Sequence, residues 1–402
     1  MTIGRSIEKR LGFVARHFPV VMVCGARQVG KTTILKEFSK NRNVQYVTLD
    51  YPAVRELARN DPELFLRRYG KPLIIDEIQY APELLPYIKI NSDESGAPGQ
   101  YFLTGSQMFH SMKNVSESLA GRVAVLSLYS LSHSEIIGRK SQPFSPDKIK
   151  EKRGMRPMDV FKAIYRGGMP KLVVDDKLTP EDYFGSYVQT YLERDIRDLI
   201  NVKNESAFLK FLSCVAARTA QEINLTDMAK DVGVDKKTIE NWISILVTSG
   251  IVFLLRPYSG NTIKRVVKRP KLYFMDSGLC CYLSLWNNPQ TLEVSAMAGA
   301  MFETYAVSEI IKSYANEGIE VKNRLCYYRD NNGKEIDLMI LQNGKIYPIE
   351  IKKNSNPGKE ALKNFSILPS LNMEIGEGAV VCRSNTVLPL DGKNTTVPIE
   401  YI

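Results

Sequence analysis

GARQVGKT, residues 25–32, lies between the apolar run VVMVC (20–24) and the amphipathic ILKEFSK (34–40). That order reads as strand, glycine-rich turn, helix. The stretch satisfies G-x-x-x-x-G-K-[ST] in full and in the context that the motif requires. Gly25 and Gly30 let the backbone wrap closely around anionic oxygens. The N–H groups from Ala26, Arg27, Gln28 and Val29 on to Lys31, Thr32 and Thr33 then form a cradle backed by the helix dipole. Lys31 sets a point charge on the β- and γ-phosphates, and the Thr32 hydroxyl is a ligand for Mg²⁺. The expected cofactors are ATP and Mg²⁺.

Outward from the loop, further short apolar runs occur at VQYVTL (44–49), PLIID (72–76), YFLTGS (101–106) and VAVLSLY (123–129). Strands alternating with helical stretches predict βαβ crossovers and a parallel sheet covered on both faces, an α/β fold of the P-loop type. The run LIIDE (73–77) delivers two acids at a strand's carboxyl end. Asp76 suits the Mg²⁺ environment, and Glu77 suits the residue that orients or deprotonates attacking water. From the neighbouring strand, Ser106, or with less weight Thr104, is the candidate for contact with the γ-phosphate or the water.

With 402 residues the chain exceeds the roughly 250 to 300 residues at which single cores stop growing. Three domains are expected, at 1–157, 158–288 and 289–402, with a linker or exposed excursion in the Pro-, Lys- and Arg-rich stretch 140–158. No apolar run reaches the ~20 residues of a membrane span, and the charged N-terminus lacks the pattern of a secretory signal. The expectation is a soluble cytoplasmic protein whose six scattered cysteines are free buried thiols. Lys+Arg of 54 against Asp+Glu of 44 leaves a net charge of +10, which favours a polyanionic partner such as DNA.

Beyond residue 158 helices dominate. LTDMAKDVGVDKKTIENW (225–242) followed by an apolar strand from Ile251 has the order of a helix-turn-helix and wing, with Lys236, Lys237, Thr238 and Asn241 on the outward face. Lys264, Arg265, Lys268, Arg269 and Lys271 would form a basic wing contacting phosphates. The same module also serves elsewhere as a protein-binding lid, so a protein partner stays open. Further on, a helix over AGAMFETYAVSEIIKSYA (298–315) precedes two alternating strands, EIDLMIL (335–341) and KIYPIEIKK (345–353), joined at Gln342-Asn343-Gly344. Period two puts Glu350 and Lys352 on one side, with Asp337 on the adjacent strand. Two carboxylates and a lysine there suit Mg²⁺-assisted phosphodiester cleavage, and Glu303 on the helix would complete the metal shell.

GARQVGKT, LIIDEIQ, FLTGS, LAGR (119–122), YRGGMP, YLERDI and KLYFMDSGL resemble an AAA-type ATPase. Specifically, they resemble the prokaryotic group that joins this module to a winged helix and a restriction-endonuclease-like region. The resemblance implies ATP hydrolysis and homo-oligomerisation. It also implies an arginine finger at Arg122 that would reach a neighbour's nucleotide. Arg166 is a weaker candidate for an intrachain sensor, and Arg194 for a local ion pair. Glu303, Asp337, Glu350 and Lys352 resemble the PD-(D/E)xK nuclease pattern, with Ile336 where many members have proline, and whether cleavage is retained stays open.

Overall fold

The computed structural model describes residues 3–40, 42–105, 118–149, 157–192, 205–259, 268–330 and 332–402. Five strands, β1 (Val20–Cys24), β2 (Gln45–Thr48), β3 (Leu73–Asp76), β4 (Tyr101–Gly105) and β5 (Val123–Ser127), form an all-parallel sheet in the order β2-β3-β4-β1-β5. Because every strand runs the same way, the loop after β1 and the acids after β3 open at one edge. The end of β4 stands between them.

Alternation along these strands separates two cores. Val20, Met22, Leu73, Ile75, Tyr101 and Leu103 face a cluster confined to this unit. Val21, Val23, Ile74, Phe102 and Leu126 face a second cluster that continues through the rest of the chain to Ile402. One face of the nucleotide-type sheet thus belongs to a core shared with the C-terminal parts of the chain.

The middle of the chain is helical. Asn224 caps the helix Leu225–Val232, and Asp235 caps the helix Lys236–Thr248, accepting from Thr238 N at 2.9 Å. Next to this pair is a small antiparallel sheet, β6 (Gln221–Glu222), β7 (Val252–Leu255) and β8 (Lys271–Phe274), in the order β6-β8-β7.

The C-terminal region is a mixed sheet of β9 (Leu325–Arg329), β10 (Glu335–Gln342), β11 (Lys345–Ile351), β13 (Gly378–Cys382) and β14 (Asn394–Pro398), ordered β14-β13-β11-β10-β9, with β12 (Glu374–Ile375) beside β11. Asn343 and Gly344, at φ 53° and 76°, make the two-residue turn between β10 and β11. The helix Ala298–Ala315 lies where its periodicity predicts, buried along most of its length.

The linker or exposed excursion expected at 140–158 is corrected over its described part. Phe144, Ser145 and Pro146 are buried, Ser313 Oγ accepts from Phe144 N at 3.0 Å, and Tyr314 OH donates to Phe144 O at 2.8 Å. One aromatic residue finding a slot on the long helix outweighs the polar composition around it. All six cysteines are free and buried. Among the described residues no helix is long and apolar enough to cross a membrane.

Candidate functional site

The loop Gly25–Gly30 has the conformation that its glycines allow. A Cβ on Gly25 would stand 2.0 Å from Leu128 O, and Gly30 has φ 98° where the helix Lys31–Ser39 begins. Gln28, with φ 61°, carries the strain of a left-handed non-glycine residue. Tyr183 OH holds it by donating to Gln28 Oε1 at 2.8 Å. From below, Arg5 donates to Val29 O and Tyr129 O, both at 2.8 Å, and pairs with buried Glu135 at 3.1 Å. A Cβ on Gly250, after the capped helix pair, would stand 3.7 Å from Ala26 N. The phosphate-type loop is therefore held by hydrogen bonds from two distant parts of the chain, Arg5 and Tyr183.

Lys31 is buried, and its Nζ donates to Gly25 O at 3.0 Å and Ala26 O at 2.8 Å. Burial holds its pKa below the usual lysine range, with the charges of Glu77, Cys24 and Asp76 opposing that shift. Thr32 Oγ1 donates to both oxygens of Asp76, at 2.9 and 3.0 Å. Tyr46 OH donates to Asp76 Oδ2 at 2.9 Å, and Thr104 Oγ1 donates to Asp76 Oδ1. Thr104 Oγ1 in turn accepts from Glu77 N at 3.0 Å, and Gln79 Nε2 donates to Glu77 Oε2. Glu77 itself sits at φ 59°, turning its side chain out of the strand direction.

Lys31, Thr32, Asp76 and Glu77 therefore meet at one edge of the sheet. Thr104, ranked second in the sequence reading, is fully buried and bridges the two acids. Ser106 lies outside the described residues. Tyr46 and Gln79 were missed. Tyr46 comes from the neighbouring strand, and Gln79 stands inside LIIDEIQ with no spacing rule to give it a role. A hydroxyl and a carboxylate 2.9 Å apart beside an anion cradle are the hard-oxygen donor set that Mg²⁺ takes.

Arg122 lies at the other end of the sheet. Val20 pairs with Val123 and Cys24 with Ser127, so Arg122 stands about 16 Å from the loop at ~3.3 Å per residue. It pairs with Asp93, its Nη2 donating to Oδ2 at 3.0 Å, and cannot serve its own chain's loop. Arg166 also departs from the sensor expectation, since it donates to Leu172 O at 2.6 Å and Asp175 O at 2.9 Å. Arg194, Lys264 and Arg265 lie outside the described residues.

Lys236, Lys237 and Asn241 are exposed as expected, as are Lys268 and Arg269. Lys271 is not. It is 3% exposed and points inward, which removes it from the basic wing.

Lys271 points to the C-terminal acids. Leu338 pairs with Ile349 across β10 and β11, so the register sets Asp337 opposite Glu350 on one face. Asp337 Oδ2 accepts from Ile351 N at 2.8 Å, and Lys352 Nζ pairs with Glu350 Oε1 at 2.6 Å. Lys271 Nζ is 3.0 Å from Glu303 Oε1, pairs with Glu335, and is 4.0 Å from Asp337 Oδ1. Tyr273 OH donates to Glu303 Oε1 at 2.7 Å. Burial, then the charge of Asp337, pushes Glu303 up to about 7 and Glu350 up to about 8. Glu303, Asp337, Glu350 and Lys352 thus come together, but around a lysine. Among the described residues no group of three His, Cys, Asp or Glu is arranged to hold a metal ion, and what these side chains form is an ion-pair cluster centred on Lys271 and Lys352.

Residues 17–137 match the family model described as an AAA domain, and the chain carries an AAA-type P-loop nucleotide-binding domain over this stretch. Residues 158–290 and 298–402 match two further models, each described as a domain of unknown function. Two curated relatives are the uncharacterized proteins Rv2008c of Mycobacterium tuberculosis and Mb2031c of Mycobacterium bovis. Each is 26% identical to this chain over 403 residues, covering 99% of it and 84% of their own length. Among solved structures, a Walker-type ATPase of Pyrococcus abyssi aligns with TM-score 0.45 at 13% identity, covering 69% of this chain and 95% of its own. The Holliday junction branch migration motor RuvB of Thermotoga maritima aligns with TM-score 0.31 at 17% identity, covering 62% and 89%.

Proposed function

We propose that the protein is a Mg²⁺-dependent ATPase, converting ATP to ADP and phosphate, that works on or with DNA. The observation that carries the hydrolytic reading is the convergence of Thr32, Tyr46 and Thr104 on Asp76, with Glu77 turned beside them by its left-handed backbone. Thr32 and Asp76 would hold the metal, which when bound supplies positive charge to the phosphate oxygens. Lys31 binds the phosphates, and Glu77 orients and deprotonates water. Lys31→Ala is expected to weaken ATP binding. Glu77→Gln is expected to bind ATP nearly normally and to hydrolyse it slower by about two orders of magnitude or more. Hydrolysis by Glu77→Gln at the wild-type rate would remove Glu77 from this role.

The helix pair 225–248 and the β6-β8-β7 sheet fit a winged helix, and exposed Lys236, Lys237, Asn241, Lys268 and Arg269 supply phosphate contacts. Duplex binding should weaken steeply with salt, by roughly one unit of log-log slope per phosphate neutralised. A second reading, a nucleotide switch with a protein partner, draws on the hydrogen bond from Tyr183 to Gln28, through which the loop's state would reach the middle unit. Absence of any salt-sensitive DNA affinity favours that second reading. In the second reading the C-terminal sheet, nuclease-like in its acids, is a scaffold.

A further inference from the structure

The C-terminal acids are assembled as a cation site, and their cation is supplied from outside their own sheet. Lys271 opens β8, whose backbone is fixed on both sides by pairing with Leu255 on β7 and Glu222 on β6. Its Nζ stands among Glu303, Glu335 and Asp337, with the Tyr327 ring centroid 5.6 Å away. Burial alone would lower the lysine's proton affinity, and the three carboxylates more than reverse this, so the group stays an ammonium.

The remaining chemistry points the same way. Glu303, Glu335, Asp337 and Glu350 together exceed the charge of Lys271 and Lys352 by two if all are ionised, although Arg329, 3.4 Å from Glu335, offsets part of this from the rim. Glu350 Oε2 is buried with no hydrogen-bond partner among the described residues, an acceptor left over beside the cluster. A divalent ion needs carboxylate oxygens at about 2.0 to 2.6 Å from one point. Glu303 and Asp337 cannot both offer such oxygens while an ammonium lies between them, so these residues do not fit a metal as they stand.

We infer that Lys271 is the resident cation of this site. The middle unit inserts it into the C-terminal acids and thereby keeps them free of metal. Removing the ammonium leaves Glu303, Asp337 and Glu350 as an oxygen-ligand site for Mg²⁺ or Mn²⁺. The inference rests on the geometry of the cluster and is independent of ATP hydrolysis.

The test is Mn²⁺ binding by the full-length, nucleotide-free chain, followed by the loss of the free-ion electron paramagnetic resonance signal. Wild type and Asp337→Asn are expected to give superimposable titrations. Lys271→Met is expected to gain about one ion per chain, and Lys271→Met with Asp337→Asn to lose it again. Lys271→Arg, which keeps the charge, is expected to stay metal-free. An ion bound by wild type and lost in Asp337→Asn overturns the inference, as does a folded Lys271→Met that binds none. If Lys271→Met does not fold, Lys271→Gln carries the same expectation, and the comparison of wild type with Asp337→Asn decides without either.

Discussion

Thr104, buried at the end of β4, donates its hydroxyl proton to Asp76 and with the same oxygen accepts from the backbone N–H of Glu77 at 3.0 Å. One side chain therefore sets both the orientation of the Asp76 carboxylate and the backbone turn that presents Glu77. Thr104→Val keeps the shape and removes both bonds. The loss of a buried hydrogen bond costs about 1 to 2 kcal/mol of stability. The larger effect is expected on turnover, a fall of roughly tenfold to a hundredfold with ATP affinity nearly unchanged. Steady-state kinetics beside equilibrium nucleotide binding checks it. Thr104→Ser, which keeps the hydroxyl, should recover most of the rate.

Arg5 braces the phosphate loop from beneath while pairing with Glu135, whose side chain is 1% exposed and also accepts from Ser6 N and Ser132 N. Arg5→Ala leaves that carboxylate buried without its counter-ion, and such losses cost about 3 to 5 kcal/mol. Chemical denaturation should show a destabilisation of that order. Arg5→Lys should be only partly tolerated, because one ammonium cannot reach Glu135, Val29 O and Tyr129 O in the geometry of a guanidinium fork.

Arg122 is bound to Asp93 on the surface, at the sheet edge remote from its own loop. An exposed pair is held weakly against solvent, so the guanidinium is available to a second chain. If Arg122 completes a neighbour's nucleotide site, Arg122→Ala slows ATP turnover about tenfold or more without changing ATP affinity, and mixing it with Lys31→Ala protein restores some activity. Activity unchanged by Arg122→Ala, or no recovery in the mixture, would show that the arginine is only a surface ion pair. Asp93→Ala separates these further, since it frees Arg122 and should not reduce turnover.

What was legible in the sequence was what a contiguous run encodes. GARQVGKT and LIIDE give loop, strand and acids because each function lies within a few residues of the next. The turn at Asn343 and Gly344 fixes the register that sets Asp337 opposite Glu350. Tyr46 and Arg5 were obscured, and Thr104 ranked below Ser106, because their partners arrive through strand order and chain packing. Lys271 is the sharpest case. In the basic stretch KRVVKRPK it reads as one more surface cation, yet it opens β8, a strand buried at every position, while Lys268 and Arg269, ahead of the strand, stay exposed. Strand β14 was missed because NTTVP is half polar, and its pairing with β13 is what makes it a strand.

The acid cluster leaves a signature in the pH dependence of stability. Glu303 and Glu350 hold their protons up to about 7 and about 8 in the folded chain, first because they are buried and then because Asp337 stands beside them. In the unfolded chain a glutamate releases its proton near 4.3. Between these values the folded state carries more protons than the unfolded one, so stability falls as pH rises. The contribution is fully present below about pH 4 and is lost by about pH 8. Lys271 and Lys352 oppose the shift, and Asp337, itself raised by burial, shares it. Thermal unfolding of the nucleotide-free protein from pH 5 to pH 9 should therefore show a declining melting temperature, and Glu350→Gln, which cannot ionise, should flatten part of that decline. The difference between the two curves isolates this site, because every other titrating group is common to both. Parallel curves across the whole range would mean that Glu350 is already ionised at pH 5, with Lys352 alone sufficient to hold its charge.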